Sequence, residues 1–312
     1  MGMTTIPTRP LGHSAIPVSV IGLGCNQFGN RLDLAGTRAV LERAIALGVT
    51  FLDTADRYGN TLSEQYMGEA LRSRREEVVL ATKFGMDLGD GWEGPRGAPE
   101  YIRHACEGSL RRLQTDVIDL YWYHRPDGVT PIDQTLEALD ELVRAGKVRA
   151  IGASNFSAAQ IREADQVARA HGLTRFTAIQ NEYSLLHREP EQEVLGLCDE
   201  LELAFIPYYP LASGLLTGKY RRGQAAPAGA RLAGREQLAS EEQWRVVEAL
   251  CSYASARGLE PAEVAIGALL ARPAVASVIT GATGPEQVQA NAAAARWAPD
   301  SAELAQLWAA LT

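Results

Sequence analysis

Short apolar runs alternate with longer segments of helical periodicity along most of the chain, and several of the runs stop at a polar or charged residue. Eight runs are β-like: PVSVIGLGC (17–25), TFLDTA (50–55), VVLATKFG (78–85), VIDLYWYH (117–124), VRAIGASN (148–155), TAIQNEY (177–183), LAFIPYYPL (203–211) and VASVITGA (275–282). Between them, AGTRAVLERAIALG, PIDQTLEALDELVRAGK and SAAQIREADQVARAHG repeat apolar positions at helical spacing. Gly48, Gly146 and Gly172 close helices where the chain turns into the next strand. Strands so apolar on both faces suit a parallel sheet, and most strand-to-strand steps have the length of one βα unit. The pattern predicts an α/β chain folded as a (β/α)₈ TIM barrel, a single domain over residues 1–312, with a short N-terminal β-hairpin and extra helices after strand 7. The longest step separates strands seven and eight. It holds SGLLTGKYRRGQAAPAGARLAGREQ and then helical runs from Ser240 and Pro261, and a stretch this long is usually a functional loop.

Side chains on a strand point to opposite faces with a period of two. Asp53 therefore shares a face with Phe51 and Ala55, Lys83 with Val79 and Ala81, and His124 with Trp122 and Leu120, leaving Tyr121 and Tyr123 for the helix side. Asp53, Tyr58, Lys83 and His124 thus sit at or just past the ends of three successive strands, where a parallel barrel gathers its chemistry.

Composition narrows the partners. A formal net charge of -8 argues against the broad cationic surface that nucleic acid or an anionic membrane requires. The basic cluster of Arg72, Arg74 and Arg75 reads as a solvated helix end. Cys25, Cys106, Cys198 and Cys251 lie far apart, without a CxxC pair or zinc spacing, and read as buried reduced thiols. The five histidines include no HxH pair, so no metal is expected. The N-terminus has no signal-peptide pattern, Ile6 stands where a myristoylation motif requires Ser or Thr, and no long apolar stretch occurs, so the expected location is cytoplasmic. Oligomeric state is not legible.

A doubly wound dinucleotide-binding fold is the alternative to the barrel. Its G-x-G-x-x-G fingerprint fails here, because IGLGCNQFG supplies Gly22 and Gly24 but Gln27 where the third glycine belongs. No Tyr is followed four residues later by Lys, so the catalytic pair of short-chain dehydrogenases is missing as well.

The segments FLDTADRYG, ATKFG, DLYWYHRPD, AGKVRAIGASNFS, IQNEYSLL, PYYPLASGLLTGKY and GATGPEQVQAN, in this order, resemble the aldo-keto reductase superfamily nearly end to end. The chain is most similar to the bacterial branch that also resembles voltage-gated potassium channel β subunits. The resemblance implies a catalytic tetrad of Asp53, Tyr58, Lys83 and His124, with hydride passing from a nicotinamide to a carbonyl carbon while Tyr58 protonates the oxygen. The residue types suit that chemistry. A phenol with a pKa of roughly 10 needs a nearby ammonium to be an effective acid; Lys83 supplies it and Asp53 holds it protonated. His124 is placed to hydrogen-bond the carbonyl oxygen. Phe84, Trp92 and Trp122 are expected to wall a hydrophobic aldehyde or ketone.

The same resemblance implies the cofactor contacts. Ser154, Asn155 and Gln180 would hold the nicotinamide carboxamide, although Ser154 and Asn155 could equally cap the helix that follows. Tyr208 would stack on the ring. Tyr209, Pro210, Leu211, Ala212, Ser213, Lys219 and Arg231 belong to the segment laid over the pyrophosphate. Gly281, Thr283, Gln287 and Asn291 would take the adenosine end, at a helix N-terminus opened by Pro285. Ala290 replaces an acidic residue common at its place in the family, and 281–291 contains no Lys or Arg. The expected cofactor is NADPH/NADP⁺, with NADH possible, and the expected partner is a small-molecule carbonyl substrate. Alternatives are a nucleotide-binding regulatory or sensor protein with little turnover, a Schiff-base aldolase using Lys83, and a metal-dependent hydrolase.

Overall fold

The computed structural model describes residues 6–311; Met1 and Gly2, which bear on the reading of the N-terminus, lie outside them. Thr8–Pro10 (β1) and Pro17–Ser19 (β2) pair as an antiparallel hairpin. Eight parallel strands form the barrel: Ile21–Gly24 (β3), Phe51–Asp53 (β4), Val79–Phe84 (β5), Ile118–Tyr123 (β6), Val148–Ser154 (β7), Ala178–Gln180 (β8), Ala204–Phe205 (β9) and Val278–Gly281 (β10). Their order is β10-β3-β4-β5-β6-β7-β8-β9. The ring closes where Phe205 bridges Val275 and the Ile279 amide donates to the Pro207 carbonyl at 3.1 Å.

The run at 17–25 is two strands rather than one. The Ser19 hydroxyl donates to the Ile21 carbonyl and accepts the amides of Thr50 and Phe51, which bends the chain so that β2 leaves the ladder just before β3 enters it. β9 is far shorter than the apolar run at 203–211, because Pro207 and Pro210 have no amide to donate and Tyr209 takes a left-handed φ of 53°.

Helices α1 (Leu34–Ala46), α2 (Leu62–Leu71), α3 (Pro99–Leu113), α4 (Ile132–Arg144), α5 (Ala158–His171) and α6 (Val194–Leu201) follow successive barrel strands. α5 shows why such segments hold: Ser157 and Gln160 form a reciprocal capping box and Gly172 ends it at φ 63°. α7 (Glu241–Ser255) and α8 (Pro261–Leu270) lie between β9 and β10, and α9 (Pro285–Ala293) and α10 (Ser301–Leu311) follow the last strand. No described helix is long and apolar enough to cross a membrane.

Strand alternation sorts the core into layers. Phe51, Ala81, Leu120 and Trp122 fill the barrel interior with Leu11, Ile16 and Val18 from the hairpin. Leu52, Leu80, Tyr121 and Tyr123 face outward to the helices. The interior tryptophan fits because its neighbour is Gly152; a Cβ there would lie 2.5 Å from the Trp122 ring. A separate apolar cluster, including Leu216, Tyr220, Trp244, Leu250 and Leu307, gathers under the 212–240 segment where α7 meets α10.

Two surface expectations are corrected. Arg75 is not part of a solvated helix end: it donates to Asp119 Oδ2 at 2.7 Å and to the Val117 carbonyl at 2.8 Å, tying the chain after α2 to β6. Cys25, Cys106 and Cys198 are buried free thiols, but Cys251 is only partly covered.

Candidate active site

Asp53 ends β4 and Lys83 lies on the neighbouring β5, so the two side chains meet inside the barrel mouth. Lys83 Nζ donates to Asp53 Oδ2 at 2.6 Å and to the Thr54 carbonyl at 2.7 Å, and the ammonium is 1% exposed. The second Asp53 oxygen accepts from Gln180 Nε2 at 3.2 Å. Burial pulls the Lys83 pKa down, but the charges of Asp53 and then Tyr58 outweigh it, and the net shift is upward. An amine held this firmly charged is a poor Schiff-base nucleophile.

Tyr58 follows on the β4–α2 loop. Its ring centroid is 5.1 Å from Lys83 Nζ, and its ring meets that of His124 edge-on at 6.0 Å. Burial is the largest influence on the phenol and raises its pKa; Lys83 opposes this and Asp53 reinforces it, leaving the phenol above its usual value. Lys83 therefore moderates the phenol without bringing it into the neutral range, and Tyr58 keeps its proton at neutral pH. His124 is pushed down to about 3 by burial and then by the charges of Lys83, Arg57 and Arg125. It is a neutral imidazole whose buried Nδ1 has no hydrogen-bond partner among the described residues.

A cavity of about 1160 Å³ opens over these groups, lined by Asp53, Tyr58 and His124 and reaching α9, a size that suits a ligand larger than most drug-sized molecules. Of the residues expected around a dinucleotide, Ser154, Asn155, Gln180, Tyr208, Tyr209, Pro210, Leu211 and Ser213 line it. So do Lys219, Arg231, Gly281, Thr283, Gln287 and Asn291. Ala212 does not; it packs against the cluster beneath the 212–240 segment. The capping alternative for Ser154 and Asn155 fails, since Ser157 caps α5. Asn155 instead takes φ 61°, donates to the His124 carbonyl at 2.9 Å and accepts from Tyr208 Oη at 2.8 Å. It thereby joins the ends of β6 and β7 to the tyrosine beyond β9. Left-handed Asn155, Tyr209 and Ser213 all border the cavity, as strained backbone at functional sites commonly does.

The three aromatic residues expected to wall the substrate stand elsewhere. Phe84 is sealed between Tyr121 and Tyr123 on the helix side, Trp122 is buried inside the barrel, and Trp92 packs on Tyr101 and His104. Strand parity sends Phe84 outward, and depth in the barrel hides Trp122. The cavity wall instead includes Asn26, Gln27, Asn30, Arg31, Arg57, Asn60, Met86 and Arg125, which sequence reasoning did not assign. Adjacency was the available signal for two of them, because Arg57 precedes Tyr58 and Arg125 follows His124. Arg31, Arg57, Arg125, Lys219 and Arg231 line the cavity without an ion pair among the described residues.

Asp56, two residues before Tyr58, is fully buried, and neither carboxyl oxygen has a hydrogen-bond partner among the described residues. Burial, then the nearby Glu64, raises its pKa well above the usual carboxyl value. No group of three or more His, Cys, Asp or Glu among the described residues is disposed to hold a metal ion.

The family model for the aldo/keto reductase family matches residues 20–311. A protein of Oryza sativa subsp. japonica described as a probable voltage-gated potassium channel subunit beta is 38% identical over 297 residues, covering 91% of this chain and 89% of that protein.

Proposed function

The chain belongs to the aldo/keto reductase family, and from that premise we propose that it reduces aldehydes or ketones to alcohols with NADPH, Tyr58 giving the proton. The convergence of a protonated phenol and a neutral imidazole on one cavity, with a buried ammonium close to the phenol, supports this reading above all. The residues present suit a nicotinamide dinucleotide. The cavity runs from the catalytic groups to the N-terminus of α9, and Lys219 and Arg231 are cations without a carboxylate partner among the described residues, as a pyrophosphate requires. When bound, the dihydronicotinamide supplies the hydride.

The chain's own groups do the rest. His124, neutral and without a partner on Nδ1, presents an imidazole N–H to the carbonyl oxygen and polarises it as negative charge grows. Tyr58 Oη passes its proton to that oxygen. Lys83, fixed by Asp53 and Thr54, stabilises the phenolate that remains. Ser154, Asn155 and Gln180 orient the carboxamide, Tyr208 offers its ring face, and the segment from Tyr209 to Ser213 covers the phosphates. Gly281, Thr283, Gln287 and Asn291 hold the adenosine end. NADPH is the preferred coenzyme in this reading and NADH the weaker one.

Mixing protein-bound NADPH with 4-nitrobenzaldehyde tests the proposal in a single turnover. Loss of the nicotinamide absorbance band is the expected result. An unchanged band would overturn the proposal and favour a nucleotide-binding regulatory role, the reading suggested by the channel-subunit description of the rice relative.

A further inference from the structure

We propose that the carbonyl compounds this site reduces carry an oxyanion, a carboxylate or phosphate, which Arg57 and Arg125 bind beside the reacting carbonyl. The inference rests on the reductase reading and adds the substrate class.

The substrate end of the cavity is built by the loops after β3, β4, β5 and β6. Apart from Met86 its larger side chains there are polar or cationic: Asn26, Arg31, Arg57, Asn60 and Arg125. Arg57 and Arg125 each adjoin a catalytic residue in sequence. Both line the same cavity as Tyr58 and His124, and their charges bear on the His124 imidazole.

Neither arginine forms an ion pair among the described residues. The side-chain contact of Arg57 is the Met86 sulfur at 3.6 Å. Of the carboxylates that line the cavity, Asp53 is already taken by Lys83 and Gln180. Glu260 and Glu263 line the cavity from the start of α8, where Pro261 lies against Gly218 of the segment assigned to the nucleotide. Elsewhere the chain pairs its arginines readily, as in Arg96 with Asp87, Arg103 with Glu141 and Arg112 with Glu64, and acidic residues outnumber basic ones, 38 to 30. Unmet guanidinium groups kept beside a catalytic centre in such a chain select for a substrate that brings the missing charge, and their planar fork matches a carboxylate or phosphate.

Two matched pairs of aldehydes test this with NADPH in excess: 4-carboxybenzaldehyde against methyl 4-formylbenzoate, and 4-formylphenyl phosphate against 4-methoxybenzaldehyde. In at least one pair the anion is expected to have a kcat/KM about tenfold or more above its neutral partner, the size of one charge-assisted contact. The pair that shows it identifies the oxyanion, and added salt should shrink the ratio. Arg57→Gln and Arg125→Gln should each lower that anionic-to-neutral ratio about fivefold, through KM more than kcat. Ratios near one in both pairs, or ratios unmoved by both substitutions, would overturn the inference while leaving the reductase reading intact if the neutral aldehydes are reduced. Turnover of none of the four would remove both.

Discussion

Replacing Asp53 by Asn strips the counter-charge from an ammonium that is 1% exposed. In the native chain Lys83 Nζ is bound by Asp53 Oδ2 at 2.6 Å and the Thr54 carbonyl at 2.7 Å. Removing one partner of a buried pair costs about 3–5 kcal/mol. The Thr54 contact and the amide oxygen of the new Asn remain as acceptors, so the expected loss is at the low end, about 3 kcal/mol. The pH dependence should also change sign. Lys83 has a raised folded pKa, so its contribution is present below its ordinary value of 10.5 and is lost only as pH rises through the folded value. With Asp53 gone, burial, already the largest single influence on Lys83, is opposed chiefly by Tyr58, and the folded pKa is expected to drop below the unfolded one. The folded chain then binds fewer protons than the unfolded chain, and stability rises with pH instead. Urea unfolding of both proteins at several pH values between neutrality and pH ~10 measures both effects. A loss below about 1 kcal/mol, with the same pH slope as wild type, would refute the claim that Asp53 holds a buried charge in place.

Asp56→Asn should stabilise the protein by about 1–3 kcal/mol near neutral pH, because the carboxyl must ionise on unfolding there while burial disfavours its charge in the fold, and a carboxamide carries no such penalty. The raised folded pKa of Asp56 means that its native contribution is intact below the unfolded carboxyl pKa and is lost as pH rises through the folded value. The Tm advantage of the variant should therefore grow from acid to neutral pH, and an advantage that is absent or independent of pH would contradict the burial argument. Gly152→Ala puts a methyl group 2.5 Å from the Trp122 ring and 2.9 Å from the Ala178 carbonyl, and should destabilise by about 1–3 kcal/mol in urea unfolding; a neutral effect would show that the barrel interior is looser than its packing indicates. Lys219→Ala should weaken NADPH binding about tenfold in a fluorescence titration, the loss of one charge-assisted phosphate contact, and unchanged affinity would place the phosphates elsewhere.

Strand parity made the site legible before its shape was. Asp53, Lys83 and the turn to Tyr58 could be aligned because a period of two fixes which face each residue takes, and the interior set of Phe51, Ala81, Leu120 and Trp122 lies where parity sends it. Parity says nothing about depth, and for that reason Trp122 looked like a pocket wall and is core. Phe84 follows parity to the outer face, where its place as a wall was never consistent with Lys83 facing inward. The kink after Ser19 was invisible because it depends on hydrogen bonds to residues of the next strand, Thr50 and Phe51. Arg57 and Arg125 were overlooked because a charged residue on a loop is ordinarily solvated. Their significance comes from the cavity they share and from the carboxylates that are engaged elsewhere.

The most direct test of the account is Tyr58→Phe, which deletes one oxygen from the catalytic centre. NADPH should bind with nearly wild-type affinity in a fluorescence titration, while the single-turnover rate of aldehyde reduction falls about 10²–10⁴-fold, the range lost with a general acid. Undiminished reduction by the variant would contradict the assignment of Tyr58 as proton donor and the mechanism built on it.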